Sequence, residues 1–309
     1  MPALSLQQDN MQINIKGDGF AVVFDKTTGT IDKILSRDVN LLCSRGGPQL
    51  HLWRAPHQID DMWAFNDWQK YGLLDLKRTV FSIQALEPRM GQARVESIIK
   101  AEGNNGFTVT HSAVYTIYGD GSIAVENRIT PQGPRIPLAR LGVRLLLDQR
   151  LSQFQYLGRG PMENYSDRKR GSDVGLYSST VREQMTPYAK PMECGNHEDV
   201  RWAALTGEIP GLLAQAQGDF MQVSALPYRD EQMIPIEYSV DLPASTATVL
   251  TLAARTLGVG SGSCGPRPLD RYMVWSDATA FFYVLRLLPK NHNLAQRPTP
   301  TLEDTLALH

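Results

Sequence analysis

The feature that most constrains this chain is a two-residue alternation of apolar and polar side chains, interrupted at short intervals by glycine turns. "MQINIKGDGFAVVFDKTTGTIDKIL" reads as two or three short strands joined at Gly17-Asp18-Gly19 and Thr28-Gly29. Successive side chains of a strand point to opposite faces, so a period of two marks a half-buried sheet and not a helix. "ARVESIIKAEG", "FTVTHSAVYTIYGDGSIAVENRI" and "RLGVRLLLDQ" continue the pattern, with Asp120-Gly121 as a further hairpin turn. "GLLAQAQGDFMQVSAL", "TATVLTLAARTLGVG" and "AFFYVLRLLP" add later strands. Strands rich in Val, Ile, Thr and aromatics at this spacing predict an all-β sandwich. Helical signal is confined to residues 62–73, one short helix, and residues 226–233, a turn of another.

No Pro/Ser/Gly-rich linker divides the middle of the 309 residues. The expectation is a single domain over residues 11–289, preceded by an extended segment, 1–10, and followed by an extended or mobile tail, 290–309. Lys+Arg 31 against Asp+Glu 32 leaves a formal charge of -1. That balance gives no global pull toward nucleic acid or an anionic membrane, so charged recognition has to be local. No apolar run approaches the ~18–20 residues of a membrane span, and the first residues lack the pattern of a secretion signal. Cys43, Cys194 and Cys264 show neither CxxC nor Cys/His spacing, which favours a reduced protein over a disulfide framework.

Three stretches carry the chemistry. "YLGRGPMENYSDRKRG" (156–171) reads as a glycine-hinged loop crowded with Arg159, Glu163, Asp167, Arg168, Lys169 and Arg170. It is no phosphate cradle, because Pro161 removes a backbone donor and the residues after it start a helix poorly. "MTPYAKPMECGNHEDVRW" (185–202) mixes aromatic rings with planar polar groups, a combination suited to sugar rings, or to a rigid loop with Trp202 in the core. "HLWRAPHQIDDMW" (51–63) has the same character, and its His57, Asp60 and Asp61 are metal-ligand types without a third spaced partner. Glu163, Asp167, Glu193 and Glu198 are candidates for the carboxylate pair of a glycosidase, roughly 5–10 Å apart. The competing use of such groups is structural ion pairing inside tight loops.

Taken in order, "WRAPHQIDDMW", "YLGRGPMENYSDRKRG", "TPYAKPMECGNHEDVRW", "SALPY" and "LGVGSGSCGP" resemble the C-terminal region of large bacterial β-galactosidases of glycoside hydrolase family 2. The same region occurs as the separate small subunit of split enzymes. The resemblance is collinear over residues 11–289. It implies a β-supersandwich similar to galactose mutarotase, with the two catalytic glutamates elsewhere, in a barrel domain. No βαβα alternation is present from which to build that barrel. The resemblance therefore implies no catalytic residue in this chain, but pocket-shaping loops: Arg54, His57 and Asp61; Glu163, Asn164, Tyr165, Asp167 and Arg168; Glu193, Asn196 and His197, with Cys264 nearby. It implies as partners a β-galactosidase barrel domain or large subunit and a β-galactoside, within an oligomer. Nucleic acid and membrane are not implied. No cofactor belongs to the chain itself, metal ions being a matter for the holoenzyme. A natural small subunit would be cytoplasmic; for a piece of a longer chain the location stays open.

Departures from the family pattern are specific. The family's DND after RAP is Gln58-Ile59-Asp60-Asp61, its ENG is Glu193-Cys194-Gly195, and its usual arginine in that loop is His197. Cys264 stands where relatives often carry a sugar-stacking tryptophan, a role that Trp63 or Tyr272 would have to take over. Two other readings remain: a free-standing aldose 1-epimerase using His57, His111 or His197, and a carbohydrate-binding module without chemistry.

Overall fold

The computed structural model describes residues 2–89, 91–261 and 264–290. The tail expected to be extended lies, beyond residue 290, outside them. Among the described residues the strands form three antiparallel sheets of five, nine and five members. Ser5–Gln8, Gln12–Gly17, Phe20–Asp25, Thr30–Ser36 and Val39–Asn40 make the first, a meander in chain order. The nine-stranded sheet runs from edge to edge as Asp173–Thr180, Gln153–Gly160, Trp202–Thr206, Gly211–Gln217, Thr279–Leu288, Ile123–Gln132, Thr108–Tyr118, Gln92–Glu102 and Lys77–Arg89. The third orders His197–Val200, Met221–Leu226, Thr248–Thr256, Arg140–Leu147 and Gln49–His51.

The alternation read from the sequence is what seats these sheets. In Thr108–Tyr118 every second side chain is buried, and in Ile123–Gln132 the partner face repeats it. The hairpin between them turns at Gly121, whose φ of 84° is accessible without a Cβ penalty. One apolar cluster then joins all three sheets, with Ile13 and Val22 from the first, Val95 and Ile117 from the second, Val143 and Leu252 from the third. Phe24 meets Tyr115 edge-on at 5.1 Å, pinning the first sheet to the second. His197 stacks on Tyr156 at 4.1 Å and does the same for the third.

Several elements differ from the sequence reading. Residues 156–160 are not loop but the end of strand Gln153–Gly160: Tyr156 and Leu157 pair on both sides, and Gly158, Arg159 and Gly160 pair with Gly175, Val174 and Asp173. The segment 197–200 is likewise a strand, in register with Met221–Val223. The first helix spans Gln58–Lys70, starting four residues before the pattern suggests, because Asp60 and Asp61 in its first turn face the positive end of the helix dipole. Its expected end becomes a separate turn, Leu73–Asp75, of 3-10 type. Lys77–Arg89 and Asp173–Thr180 carry little alternation, since both are sheet edges exposed along much of their length. The extended first residues supply strand Ser5–Gln8, paired with Ile13–Lys16.

Candidate functional site

Arg54 follows strand Gln49–His51, and Asp61 sits in the first turn of the helix that comes next. The Arg54 Nε and Nη2 donate to the two oxygens of Asp61, each at 2.8 Å. Its Nη1 donates to the Leu257 carbonyl at 2.7 Å, and Nη2 also reaches the Gly258 carbonyl at 3.2 Å. Both residues are sealed from solvent, at 0% and 1% exposure. Burying two charges costs several kcal/mol per ion unless the geometry is forked and the remaining donors are satisfied, which both conditions here achieve. Burial works against the Arg54 charge, but Asp61 outweighs it and holds the guanidinium above its ordinary value. Burial likewise pushes the Asp61 carboxyl up, and Arg54 overrides it, keeping the group below the usual carboxylate range.

Glu163 and Glu193 are the carboxylates of the other two loops. Glu163 accepts from the Thr186 hydroxyl at 2.8 Å, the Tyr188 hydroxyl at 2.7 Å, the Gly195 N–H at 2.8 Å and the Arg168 guanidinium. Glu193 is buried, pairs with the buried Arg140 and accepts from Tyr165 Oη at 3.2 Å. Desolvation pushes the Glu193 carboxyl above its ordinary value despite Arg140. Tyr165 lies between two guanidinium groups, Arg168 at 5.0 Å and Arg54 at 5.8 Å from its ring centre. The loops are also stitched by amides: the Asn164 N–H donates to the Asn196 carbonyl at 2.7 Å, and Asn196 Nδ2 returns to the Asn164 carbonyl at 2.8 Å. Asp167 reaches elsewhere, accepting the Val259 and Gly260 N–H groups at 3.0 and 2.7 Å.

The histidines are engaged as structural donors. His57 Nε2 donates to the Glu193 carbonyl at 2.7 Å, leaving Nδ1 buried without a hydrogen-bond partner and 4.0 Å from Asp61. Burial, aided by Arg54, lowers its pKa to about 4. His197 Nδ1 donates to the Arg159 carbonyl at 3.0 Å, Nε2 lies 2.6 Å from Gln184 Oε1, and burial again lowers the pKa to about 4. His111 lies apart from the three loops and is bonded to Asn127 at 3.0 Å.

Of the twelve residues singled out by sequence, Arg54, His57, Asp61, Glu163, Asn164, Tyr165, Arg168, Glu193, Asn196 and His197 are thus brought into one connected network. Asp167 ties that network to the late loop. Cys264 is exposed on the same late loop, its N–H donating to the Ser261 carbonyl at 3.1 Å. Arg267 lies 4.4 Å over the Trp63 ring, closing the loop onto the first helix. Sequence reasoning missed Arg140, Asp230, Gln184, Thr186 and Tyr188. Arg140 had a legible signal, one of two charges, with Arg144, in the apolar strand Arg140–Leu147. Asp230 lay in the expected helical turn, and its carboxylate accepts the Ala55 N–H at 2.7 Å and contacts His51 at 2.9 Å. A cleft of about 750 Å³ opens beside the network, with Met185 and Thr186 in one wall and Tyr228 and Val240 in another. Among the described residues no group of three or more His, Cys, Asp or Glu could hold a metal ion. His57 and Asp61, read as metal-ligand types, are instead committed to the Glu193 carbonyl and the Arg54 fork.

Known proteins share both the sequence and the fold. The β-galactosidase of Priestia megaterium is 28% identical over 261 residues, covering 84% of this chain and 25% of the relative. That of Actinobacillus pleuropneumoniae is 28% identical over 272 residues, 86% of this chain and 26% of the relative. The chain therefore spans about a quarter of the length of these curated relatives. The solved galactose 1-epimerase from Lactobacillus acidophilus NCFM superimposes with a TM-score of 0.50 at 11% identity, covering 94% of this chain and 100% of that one. The likeness is one of fold, that of the galactose mutarotases, and agrees with the expected β-supersandwich. Residues 16–286 match the family described as "Beta galactosidase small chain", and this chain belongs to it.

Proposed function

We propose that this chain is a non-catalytic module of a β-galactosidase. It shapes one side of a pocket for terminal β-galactosides and helps hold the assembly, while a separate barrel domain supplies the glutamates that cleave the bond. The observation that carries this reading is that Glu163, Glu193 and Asp61 are each engaged by donors of the chain itself, while Glu198 is buried and paired with Lys169. Glu163 has four donors, Glu193 is consumed by Arg140 and Tyr165, and Asp61 by Arg54. A nucleophile or general acid needs an oxygen free to meet substrate. Family membership supports the same reading, as does a length near a quarter of the relatives named β-galactosidase.

The network gives the module its rigidity. Loops that line a pocket have to hold their shape within a fraction of an ångström, and buried forks and paired amides supply that constraint. Exposed Met162, Val174 and Leu176, beside the Glu163 loop and on the adjoining edge strand, supply apolar surface for a partner. The histidines do not favour the epimerase reading, because an epimerase needs an acid and a base open to one anomeric centre.

The test is to mix the chain with a β-galactosidase chain lacking this region and to follow association and hydrolysis of o-nitrophenyl β-galactoside. Association with restored hydrolysis is expected. Association without hydrolysis would leave only an interface role, and saturable sugar binding without association would favour a carbohydrate-binding module.

A further inference from the structure

Two arginines without carboxylate partners face one small cavity, away from the loops described above. The cavity measures about 190 Å³ and lies between the first sheet and the edge of the nine-stranded sheet. Register builds its floor: Arg78 pairs with Ala101, Val80 with Ile99, and Ile99 with His111, so alternate positions of three strands share one face. The opposite wall is the turn carrying Thr27 and Thr28, together with Arg45 from the segment that leads into strand Gln49–His51.

The charge balance there is uneven. Among the described residues neither Arg45 nor Arg78 makes an ion pair, and Arg78 donates to the Leu50 carbonyl at 3.2 Å. Of the acids nearby, Asp230, Glu231 and Asp25 are already engaged, and Asp75 acts on Arg78 without forming an ion pair with it. Glu231 and Asp230 pair with Arg144, and Asp25 accepts the Thr27 N–H and hydroxyl at 2.7 and 2.6 Å. Burial and the like charge of Arg144 push the Arg78 pKa below its ordinary value, with Glu231 and Asp75 only partly offsetting them. A crowded guanidinium beside other cations is stabilised by an anion from outside the chain. The volume is well below the ~300–1,000 Å³ of sites for drug-sized ligands, which restricts the occupant to a few heavy atoms.

We propose that this cavity binds a small oxyanion, a carboxylate or a phosphate, between the Arg45 and Arg78 guanidinium groups, with any hydrocarbon body on the Val80, Ile99 and Ala101 floor. Thr28, whose hydroxyl makes only a long 3.4 Å contact to the Asp25 carbonyl, is placed to add a donor. The guanidinium forks supply directional charge-assisted hydrogen bonds, and the apolar floor separates organic anions from inorganic ones.

The test is calorimetric titration of the whole chain with butyrate, inorganic phosphate and neutral butanol at matched ionic strength and pH 7. Saturable binding of at least one anion and none of butanol is expected. Preference for butyrate assigns an organic carboxylate, and preference for phosphate assigns a phosphate ligand. Arg45→Gln and Arg78→Gln should each weaken binding ~10-fold or more, and Ala101→Leu should abolish it by filling the floor. Arg45 is exposed, so its variant stays folded and decides the matter even if Ala101→Leu does not. No saturable anion binding, or equal binding by wild type and Arg45→Gln, overturns the proposal.

Discussion

The Arg54 guanidinium and the Asp61 carboxylate meet in two parallel hydrogen bonds of 2.8 Å, seven residues apart in sequence and closed to solvent. The same guanidinium holds the Leu257 and Gly258 carbonyls, so one side chain fixes the helix start to the late loop.

Removing half of this pair leaves a buried charge alone. Arg54→Ala is expected to lower unfolding free energy by about 3–5 kcal/mol, measured by urea denaturation. Arg54→Lys should recover little of it, because an ammonium cannot reproduce the fork. The apolar double variant Arg54→Met/Asp61→Leu should recover much of the loss.

Stability should fall as pH drops from 6.5 toward 4. His51, His57 and His197 are held neutral in the fold, each with a pKa lowered from 6.5 to about 4 mainly by burial. In that window the unfolded chain binds more protons than the folded one, so acid favours unfolding. Each histidine contributes about 1 kcal/mol per pH unit. Glu193 and Glu198, raised by desolvation, act in the opposite sense by taking up protons in the fold. His57→Gln keeps a donor for the Glu193 carbonyl and should flatten the slope of unfolding free energy against pH.

One carboxylate, Asp167, holds two N–H groups of the late loop. Asp167→Ala strips the acceptors from the Val259 and Gly260 N–H groups and should cost about 1–3 kcal/mol. Hydrogen exchange is the specific readout: those two amides should lose protection while Ile117 and Val143 in the core keep theirs.

Gly195 offers a sharper test of loop geometry. Its φ is 66°, and a Cβ there would stand 2.7 Å from the Gln184 carbonyl oxygen. Gly195→Ala should cost at least the ~1–2 kcal/mol of a left-handed residue, seen as a lowered thermal midpoint. An unchanged midpoint would mean that the loop moves without penalty.

How much of this was legible in the sequence follows from what each residue contacts. The hairpins at Gly19, Gly29 and Gly121 are local events, and their alternating flanks announced them. The edge strands Lys77–Arg89 and Asp173–Thr180 were not, since a strand exposed along much of its length loses the periodic signal. The site residues were found as residue types, from motifs, but their connections were not. Glu163 meets Thr186, Tyr188 and Gly195, 23 to 32 positions away, and Arg140 meets Glu193 across 53. Such pairings are set by how sheets stack, and no spacing in a single sequence encodes them. Of the two uses the sequence left open for these charges, pairing within the loops is the one seen: Glu163 with Arg168, Glu193 with Arg140 and Glu198 with Lys169.

A proton NMR time course of freshly dissolved α-lactose with the purified chain separates a non-catalytic module from either enzyme. Neither galactose release nor anomer exchange above the uncatalysed rate is expected. Release of galactose would contradict the assignment of the cleaving glutamates to another domain, and accelerated anomer exchange would establish an epimerase in its place.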